Sequence, residues 1–547
     1  VTEQHDEDAG TVTTYTYNAR GDLIRASSPD AEVVIERDPL GRVLTETTNG
    51  RTLSYTYNPL GLPIQRTTPS GLTSTWTYDA EGQPVELATD HGTLTFVHDA
   101  AGRETERRSG DIALTQQWDA ADRLTTQKAR SGRELLQHRT YAYRPDGHLT
   151  EIRELATGTR RFTLDPVGRV TGVSAHGWRE TYTYDPAGNL TNAEAPDHPA
   201  PGKRQVEGTL LHRAGRTSYD HDAAGRRIST TRRLLNGQRR TWTYTWNAED
   251  RLTAVTTPDG GVWTYAYDPL GRRISKRSPK DETTIFSWDG TCLAEQTTAN
   301  GRSTTWDYTL GTYRPLTQTD HTQLVPEPGT SLLTKLTEPT ATRPEFHAIV
   351  TDLTGTPTEL ITSEGALVWQ NRTTLWGTPL PSPDGHGDTT CPLRFPGQYA
   401  DPESGLHYNY FRYYDPETAH YLTPDPLGLA PAPNDQTYVL NPLSLFDPLG
   451  QASCPAAVRK DFDSMPDGRQ PGKVKVVSGV KELRAKFDAW TDGATPLPPR
   501  GPKIPEVYQL EDGTVIQWRT SSQSGGETID ITEPGKIQKK VHIDNGN

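Results

Sequence analysis

One unit recurs through the first 320 or so residues and limits what the chain can fold into. It is an alternating aromatic stretch, then Asp or Asn, two residues, Gly, a polar residue and an aliphatic one. Copies include Tyr15-Thr16-Tyr17-Asn18-Ala19-Arg20-Gly21, Tyr55-Thr56-Tyr57-Asn58-Pro59-Leu60-Gly61, Tyr182-Thr183-Tyr184-Asp185-Pro186-Ala187-Gly188 and Tyr265-Ala266-Tyr267-Asp268-Pro269-Leu270-Gly271. Others centre on Asp38, Asp79, Asp99, Asp119, Asp165, Asp222 and Asn247. Most lie about 20 to 25 residues apart, the period of a stacked repeat array. Alternation gives a strand with one aromatic face, and Asp-x-x-Gly gives a tight turn that ends in a left-handed residue. Each copy therefore predicts a β-hairpin. A lone hairpin cannot bury its apolar face, so the copies are expected to stack edge to edge. Asp122 and Asp250 stand where glycine is expected, a substitution such turns tolerate. Between Tyr184 and His221 the spacing widens around a Pro-rich stretch, residues 195–201, which reads as a loop.

Composition supports strands over disorder. Hydrophobic residues are only 32 %, but Tyr 23, Trp 12, Gly 48 and Pro 43 supply aromatic faces and turns. The net charge of −13 falls on residues 1–451, because residues 452–547 are nearly neutral. An acidic array argues against a nucleic-acid surface on the repeats, since phosphate binding needs positive charge. Cys292, Cys391 and Cys454 are far apart, and no disulfide framework or zinc site is readable. No apolar run approaches the roughly 18 residues of a membrane span. The chain begins at Val1 and its sole methionine is Met465, so it reads as a fragment or a processed product.

From Phe395 to Gly450 the sequence changes character. Arg394-Phe395-Pro396-Gly397-Gln398-Tyr399 leads into Gly405-Leu406-His407-Tyr408-Asn409-Tyr410-Phe411-Arg412-Tyr413-Tyr414-Asp415-Pro416. Asp425-Pro426-Leu427-Gly428-Leu429 and Asp447-Pro448-Leu449-Gly450 come next. Asp-Pro-x-Gly is a good turn sequence in its own right. The whole stretch, with the repeats and with Tyr308 to Leu316 and His347 to Trp369, resembles the Rhs/YD-repeat proteins. That resemblance implies a mainly β fold: a spiralling array of hairpins forming a shell (1–320), a core-associated domain (321–450) and a small α+β C-terminal toxin domain (451–547). It also implies that Asp425 and Asp447 form an aspartyl autoprotease cutting just after the second motif, between Gln451 and Ala452, to free the tip. Two close carboxylates cannot both ionise easily, so one serves as acid while the other activates water. Gln451 stands where the family pattern has leucine. A cognate immunity protein, a delivery apparatus outside this chain, interbacterial competition, and a secreted or cell-surface protein whose tip enters a target-cell cytoplasm are further implications.

The tail, 452–547, loses the repeat at once. Lys473 to Val477 reads as a strand. Ser478 is a suitable N-cap for a helix from Val480 to Trp490, with Val480, Leu483, Phe487 and Trp490 on one face. Pro496 to Pro505 reads as an irregular connector. Val515 to Arg519, Thr528 to Thr532 and Lys540 to Ile543 read as a three-strand meander. Its apolar face would carry Ile516, Trp518, Ile529, Ile531, Val541 and Ile543 against the helix. The other face would carry Gln517, Arg519, Thr528, Asp530, Lys540 and His542, which could be an ordinary solvated surface. His542 is, however, the tail's sole histidine. A histidine among cations suits metal-independent RNA cleavage: His542 as general acid or base, Arg519 and Lys540 stabilising the phosphate, and Ser524 or Thr528 positioning the substrate. The layout resembles small ribonuclease toxins of the barnase, colicin E5 and RelE type, which need no cofactor. A rival is an ADP-ribosyltransferase holding NAD through Arg519, Ser521, Ser522 and Glu527; another is a non-enzymatic cell-surface interaction tip. HxE with PCxxC and HExxH are absent, which argues against a zinc deaminase and a metalloprotease.

Overall fold

The computed structural model describes all residues except 1, 7–10, 156, 197, 323–343, 382–388, 430, 431, 433, 452–453, 456–473, 478–479, 492–494, 499, 502, 510–513, 521–526, 533–538 and 544–547. From Glu3 to Gln370 the chain forms one 34-stranded sheet. Each strand pairs antiparallel with the next, as in Val43–Thr48 with Arg51–Tyr57 and Arg51–Tyr57 with Pro63–Thr67. The expected hairpins are therefore present.

The repeat's residues explain its turn. At Asp38 the carboxylate accepts from the amides of Leu40 and Arg42, both at 2.9 Å, and Gly41 completes the turn at φ +90°. Arg42, just after the glycine, donates from Nε to Asp38 Oδ2 at 2.6 Å and lies over the ring of Tyr57 at 4.8 Å. Tyr57 OH in turn donates to the Val43 carbonyl at 2.8 Å. Aspartate thus caps one turn while the arginine and tyrosine bind it to the next repeat. Arg123 over Tyr143 and Arg169 over Tyr184 repeat the device. Asp122 and Asp250 occupy the glycine position at φ +61° and +58°, as their turns require.

Strand twist accumulates along the sheet and coils it back on itself. Tyr15 OH donates to the Pro269 carbonyl, Arg51 pairs with Glu295, Arg66 with Asp307, Arg107 donates to the Ile349 carbonyl and Gln137 to Glu359. These partners lie between 222 and 254 residues apart, so one circuit of the coil takes that length of chain. The sheet bends into a shell, and its aromatic stripe is covered by the segment from Cys391 onward. Tyr265, Tyr267, Phe286 and Trp288 pack with Tyr399, Tyr408 and Tyr413, while Phe162 and Tyr182 pack with Phe395, Tyr414, Tyr421 and Tyr438. Buried ions cross the same boundary in pairs: Arg273 and Lys276 with Asp401, and Arg227 with Asp415.

The described residues of 195–201 are irregular, as expected, and beyond them Gly202–Glu207 and Leu210–Ala214 form an extra hairpin. One expectation is corrected. In the tip, the Pro-rich connector begins with a strand, Thr495–Leu497, paired with Glu506–Gln509. A strand edge lacking one donor still pairs, which is where proline is admitted.

The tip's six strands run in the order Val474–Val477, Lys539–Ile543, Thr528–Thr532, Val515–Arg519, Glu506–Gln509, Thr495–Leu497. The first pair is parallel and the rest antiparallel. The helix Val480–Thr491 buries Leu483, Phe487 and Trp490 against Ile516, Trp518, Ile529, Ile531 and Val541, the face expected from alternation. This core contains no residue from the shell. Among the described residues, no helix is long and apolar enough to cross a membrane.

Candidate functional site

The Asp-Pro-x-Gly aspartates meet on one arginine. Tyr399–Asp401, Leu406–Asn409, Arg412–Asp415 and His420–Tyr421 form a small antiparallel sheet, and from it Asn409, Arg412 and Tyr421 point at residues 447–451. Arg412 is 2 % exposed, and its Nη2 lies 2.7 Å from Asp425 Oδ2 and 3.2 Å from Asp447 Oδ2. Its Nη1 donates to the Asp435 carbonyl at 2.9 Å, and its guanidinium lies 3.7 Å from the Tyr421 ring centroid. Tyr421 OH donates to Asp447 Oδ2 at 2.9 Å, and Asn409 Nδ2 to the Asp447 carbonyl at 2.8 Å. Asp425 also caps its own turn, accepting from Leu427 N at 2.8 Å. The turn reading and the pairing reading therefore both describe Asp425.

This cluster grips one peptide bond. Arg412 Nε donates to the Gly450 carbonyl, and Gln451 N donates to Asp447 Oδ1 at 3.0 Å. A cation on the carbonyl oxygen and a carboxylate on the amide nitrogen polarise the Gly450–Gln451 peptide. Burial, the largest cause, pushes Asp425 up to about 6; the charges of Asp447 and Asp435 add to this and Arg412 opposes it. Asp425 therefore takes up a proton more readily than an ordinary carboxyl. Ala452 lies outside the described residues. Asn409, Arg412 and Tyr421 were not singled out as site residues from sequence. The available signal was a lone arginine inside an aromatic run, because a buried charge needs a partner.

In the tip, strand register sets two rows on the polar face: Arg519, Thr528 and His542, then Gln517, Asp530 and Lys540. Gln517, Thr528 and Asp530 are buried, so this face is not an ordinary solvated surface. Arg519 Nε and Nη2 lie 2.9 and 2.8 Å from Asp530 Oδ2, and Gln517 Nε2 donates to the same oxygen at 3.0 Å. Lys540 Nζ is 3.8 Å from Asp530 Oδ1. Arg519 and Lys540 thus converge on a carboxylate that sequence reasoning placed on this face but gave no role. His542 is placed by its backbone, opposite Thr528. Ser524, Ser521 and Ser522 lie outside the described residues, and Glu527 immediately precedes the strand of Thr528. Among the described residues, no group of three or more His, Cys, Asp or Glu could hold a metal ion.

The RHS Repeat family model matches residues 37–73, 57–94, 165–198, 235–262 and 246–283, all within the hairpin array. Probable deoxyribonuclease RhsA of Dickeya dadantii (strain 3937) is 34 % identical over 57 % of this chain and 22 % of its own length. Double-stranded DNA deaminase toxin A of Burkholderia cenocepacia (strain H111) is 32 % identical over 66 % of this chain and 26 % of its own. The chain carries RHS repeats and is similar to the Rhs/YD-repeat proteins. A crystal structure of TcdB2-TccC3-TEV shares the fold of this Rhs chain with a TM-score of 0.63 at 17 % identity, over 82 % of this chain and 26 % of that one. The Rhs chain spans about a quarter of the length of the relatives it matches. The family-model matches lie within the shell, and the aspartate cluster sits where the shell's covering segment ends.

Proposed function

We propose that this chain is a polymorphic toxin whose coiled shell encloses a C-terminal effector, and that Asp425 and Asp447 cut the chain beside Gln451 to release it. The carrying observation is the grip on the Gly450–Gln451 peptide by Arg412 and Asp447, at the point where the shell's core gives way to a tip with its own core. Asp425, holding a proton, serves as acid, and Asp447 serves as the carboxylate that activates water. The family resemblance implies a cut before Ala452, one peptide beyond the one that Arg412 and Asp447 hold. A delivery apparatus, secretion to the cell exterior, entry of the tip into a target cytoplasm and a cognate immunity protein belong to the same reading. It is tested by intact mass of the purified chain: a tail beginning at Ala452 is expected, and Asp447→Asn should abolish it.

The effector's chemistry rests on the tip itself. One matched relative is named a deoxyribonuclease and another a DNA deaminase, so similar repeats accompany different chemistries. The face carrying Arg519, Lys540, Thr528 and His542 favours a metal-independent ribonuclease, with Ser524 as a further positioning group. His542 would move the proton and the cations would stabilise the phosphate. A DNA target is the second reading, favoured by the relatives' names. Expression of residues 452–547 should arrest bacterial growth, and His542→Ala should relieve the arrest. Gels of cellular RNA and DNA then separate the two: fragmented RNA with intact DNA supports the first reading, and the reverse supports the second.

A further inference from the structure

The tip's polar face holds a carboxylate that none of these readings uses. Asp530 is 0 % exposed, in the strand between those of Arg519 and Lys540. Its Oδ2 takes the Nε and Nη2 edge of Arg519 and the amide of Gln517. Gln517 Oε1 accepts from Arg500 Nη1 at 3.3 Å, on the stretch after the connector strand. That stretch is fastened across the sheet end by Thr520 N donating to the Lys503 carbonyl at 3.0 Å. Asp530 Oδ1 has no hydrogen-bond donor among the described residues, with Lys540 Nζ at 3.8 Å.

One buried carboxylate thus faces two cations, with a third, Arg500, reaching it through Gln517. Two of the shell's larger buried networks are balanced: Arg273 and Lys276 with Asp401 and Glu403, and Arg139 and Arg160 with Glu154 and Glu359. A purely structural pair in the tip would need one arginine. The surplus positive charge also reaches solvent, since Arg519 is 26 % and Lys540 35 % exposed and Arg500 is exposed. Arg519 spends one edge of its fork on Asp530, which turns the Nη1 edge away from the carboxylate. Guanidinium edges held in this way match the oxygens of a phosphate.

We propose that Asp530 organises a phosphate-binding site, holding Arg519 between Lys540 and Arg500 so that the three receive one phosphodiester group of a nucleic-acid strand. The inference rests on the nuclease reading and names the groups that would bind the substrate backbone. Asp530 is a positioning residue. It cancels part of the repulsion among the cations and fixes the arginine's plane, while the binding contacts are the cations' own.

The test uses the full chain and a 2′-deoxy dinucleotide, whose single phosphodiester lacks the attacking 2′-hydroxyl. Binding is expected in the unmodified chain and should weaken about tenfold in Asp530→Asn and severalfold in Arg500→Gln. Asp530→Glu should recover part of the loss. The two nucleosides without phosphate should bind all variants alike, which a general loss of structure would not produce. Arg500→Gln alters an exposed side chain, and an unchanged melting temperature shows that its effect is local. No binding in the unmodified chain, or equal binding in all variants, overturns the proposal. The matching ribodinucleotide separates the two claims: if the deoxy form binds as expected but the ribo form is never cut, the nuclease reading fails and the phosphate site stands.

Discussion

Gly397 should control self-cleavage from outside the aspartate pair. It sits at φ +85°, and a Cβ placed there would lie 2.0 Å from the Pro448 carbonyl oxygen, 2.6 Å from its carbon and 2.8 Å from its Cα. These are backbone atoms of the residue after Asp447, so no side chain can swing aside. Restoring ordinary contact requires the 447–450 turn to retreat by about 1.4 Å. The 3.2 Å approach of Arg412 to Asp447, made from a separate strand, would then exceed hydrogen-bond length. A misplacement of about 1 Å at reacting groups costs on the order of a hundredfold in rate. Gly397→Ala should slow tail release by that factor, followed by mass spectrometry after refolding. The left-handed backbone alone costs roughly 1–2 kcal/mol for alanine. Gly405 separates the two effects: it has φ +73° with nothing within 4 Å of a Cβ, so Gly405→Ala carries the backbone cost without the clash. Near-normal cleavage is expected there. Normal cleavage in Gly397→Ala, or equal slowing in both, would refute the argument from the turn's position.

Cleavage on refolding should also depend on pH. With Asp425 in the proposed role of acid and sitting at about 6, the cut should slow as pH rises through 6, and a flat profile from pH 5 to 8 would contradict that role. Stability should move the other way. Asp425 favours its neutral form in the fold, a contribution of roughly 2 kcal/mol that is full below pH 4 and lost above 6. Burial, the largest cause, pushes His407 and His420 down to about 3, so their stabilisation is present above their ordinary value of 6.5 and is lost on acidification. Two histidines outweigh one aspartate, on the order of 5 kcal/mol between pH 7 and 4, and denaturant titrations should show net acid destabilisation. Finally, Phe487 is fully buried, with its ring 5.3 Å from Trp518 and 5.8 Å from Tyr508. Phe487→Ala should cost the tip about 3–5 kcal/mol and expose it to limited proteolysis, while leaving the shell's unfolding transition unmoved.

The hairpin array was legible because its period is local. Asp38, Gly41 and Arg42 build their turn from neighbours in sequence, so the string Asp-x-x-Gly-Arg carries its own geometry. The coil was legible only through the family resemblance. Pairs such as Arg66 with Asp307 join residues 241 apart, and nothing in either stretch names the other. The tip's helix and apolar face came from alternation, since Ile516, Trp518, Ile529, Ile531 and Val541 share a face by strand geometry alone. The parallel pairing of Val474–Val477 with Lys539–Ile543 did not, because it joins the two ends of the domain. Asp425 and Asp447 were found as motifs. Arg412, which joins them, looked like one more residue in an aromatic strand, because a shared partner is a property of three dimensions.

Charge imbalance marks the aspartate cluster but does not by itself make it reactive. Arg412 serves two buried carboxylates, and burial raises Asp425 in spite of that arginine. Arg272 is in the same position in the shell, between Asp268 and Glu46, and burial there raises Glu46 too. Both clusters therefore hold a carboxyl that takes up a proton more readily than usual. What differs is the neighbour. Asp268 caps its own turn, accepting from Leu270 N and Arg272 N, and Asp447 caps its turn in the same way with Leu449 N and Gln451 N. Arg412, which also reaches Asp425, holds the Gly450 carbonyl beside that cap. A repeat turn whose aspartate shares its arginine with a second Asp-Pro-x-Gly copy becomes a clamp on its own chain, just ahead of the Cys454–Pro455 strand that pairs back onto Leu445–Phe446. On this argument Arg272→Lys should affect stability alone, whereas Arg412→Lys, which keeps the charge but loses the fork, should also stop the cut.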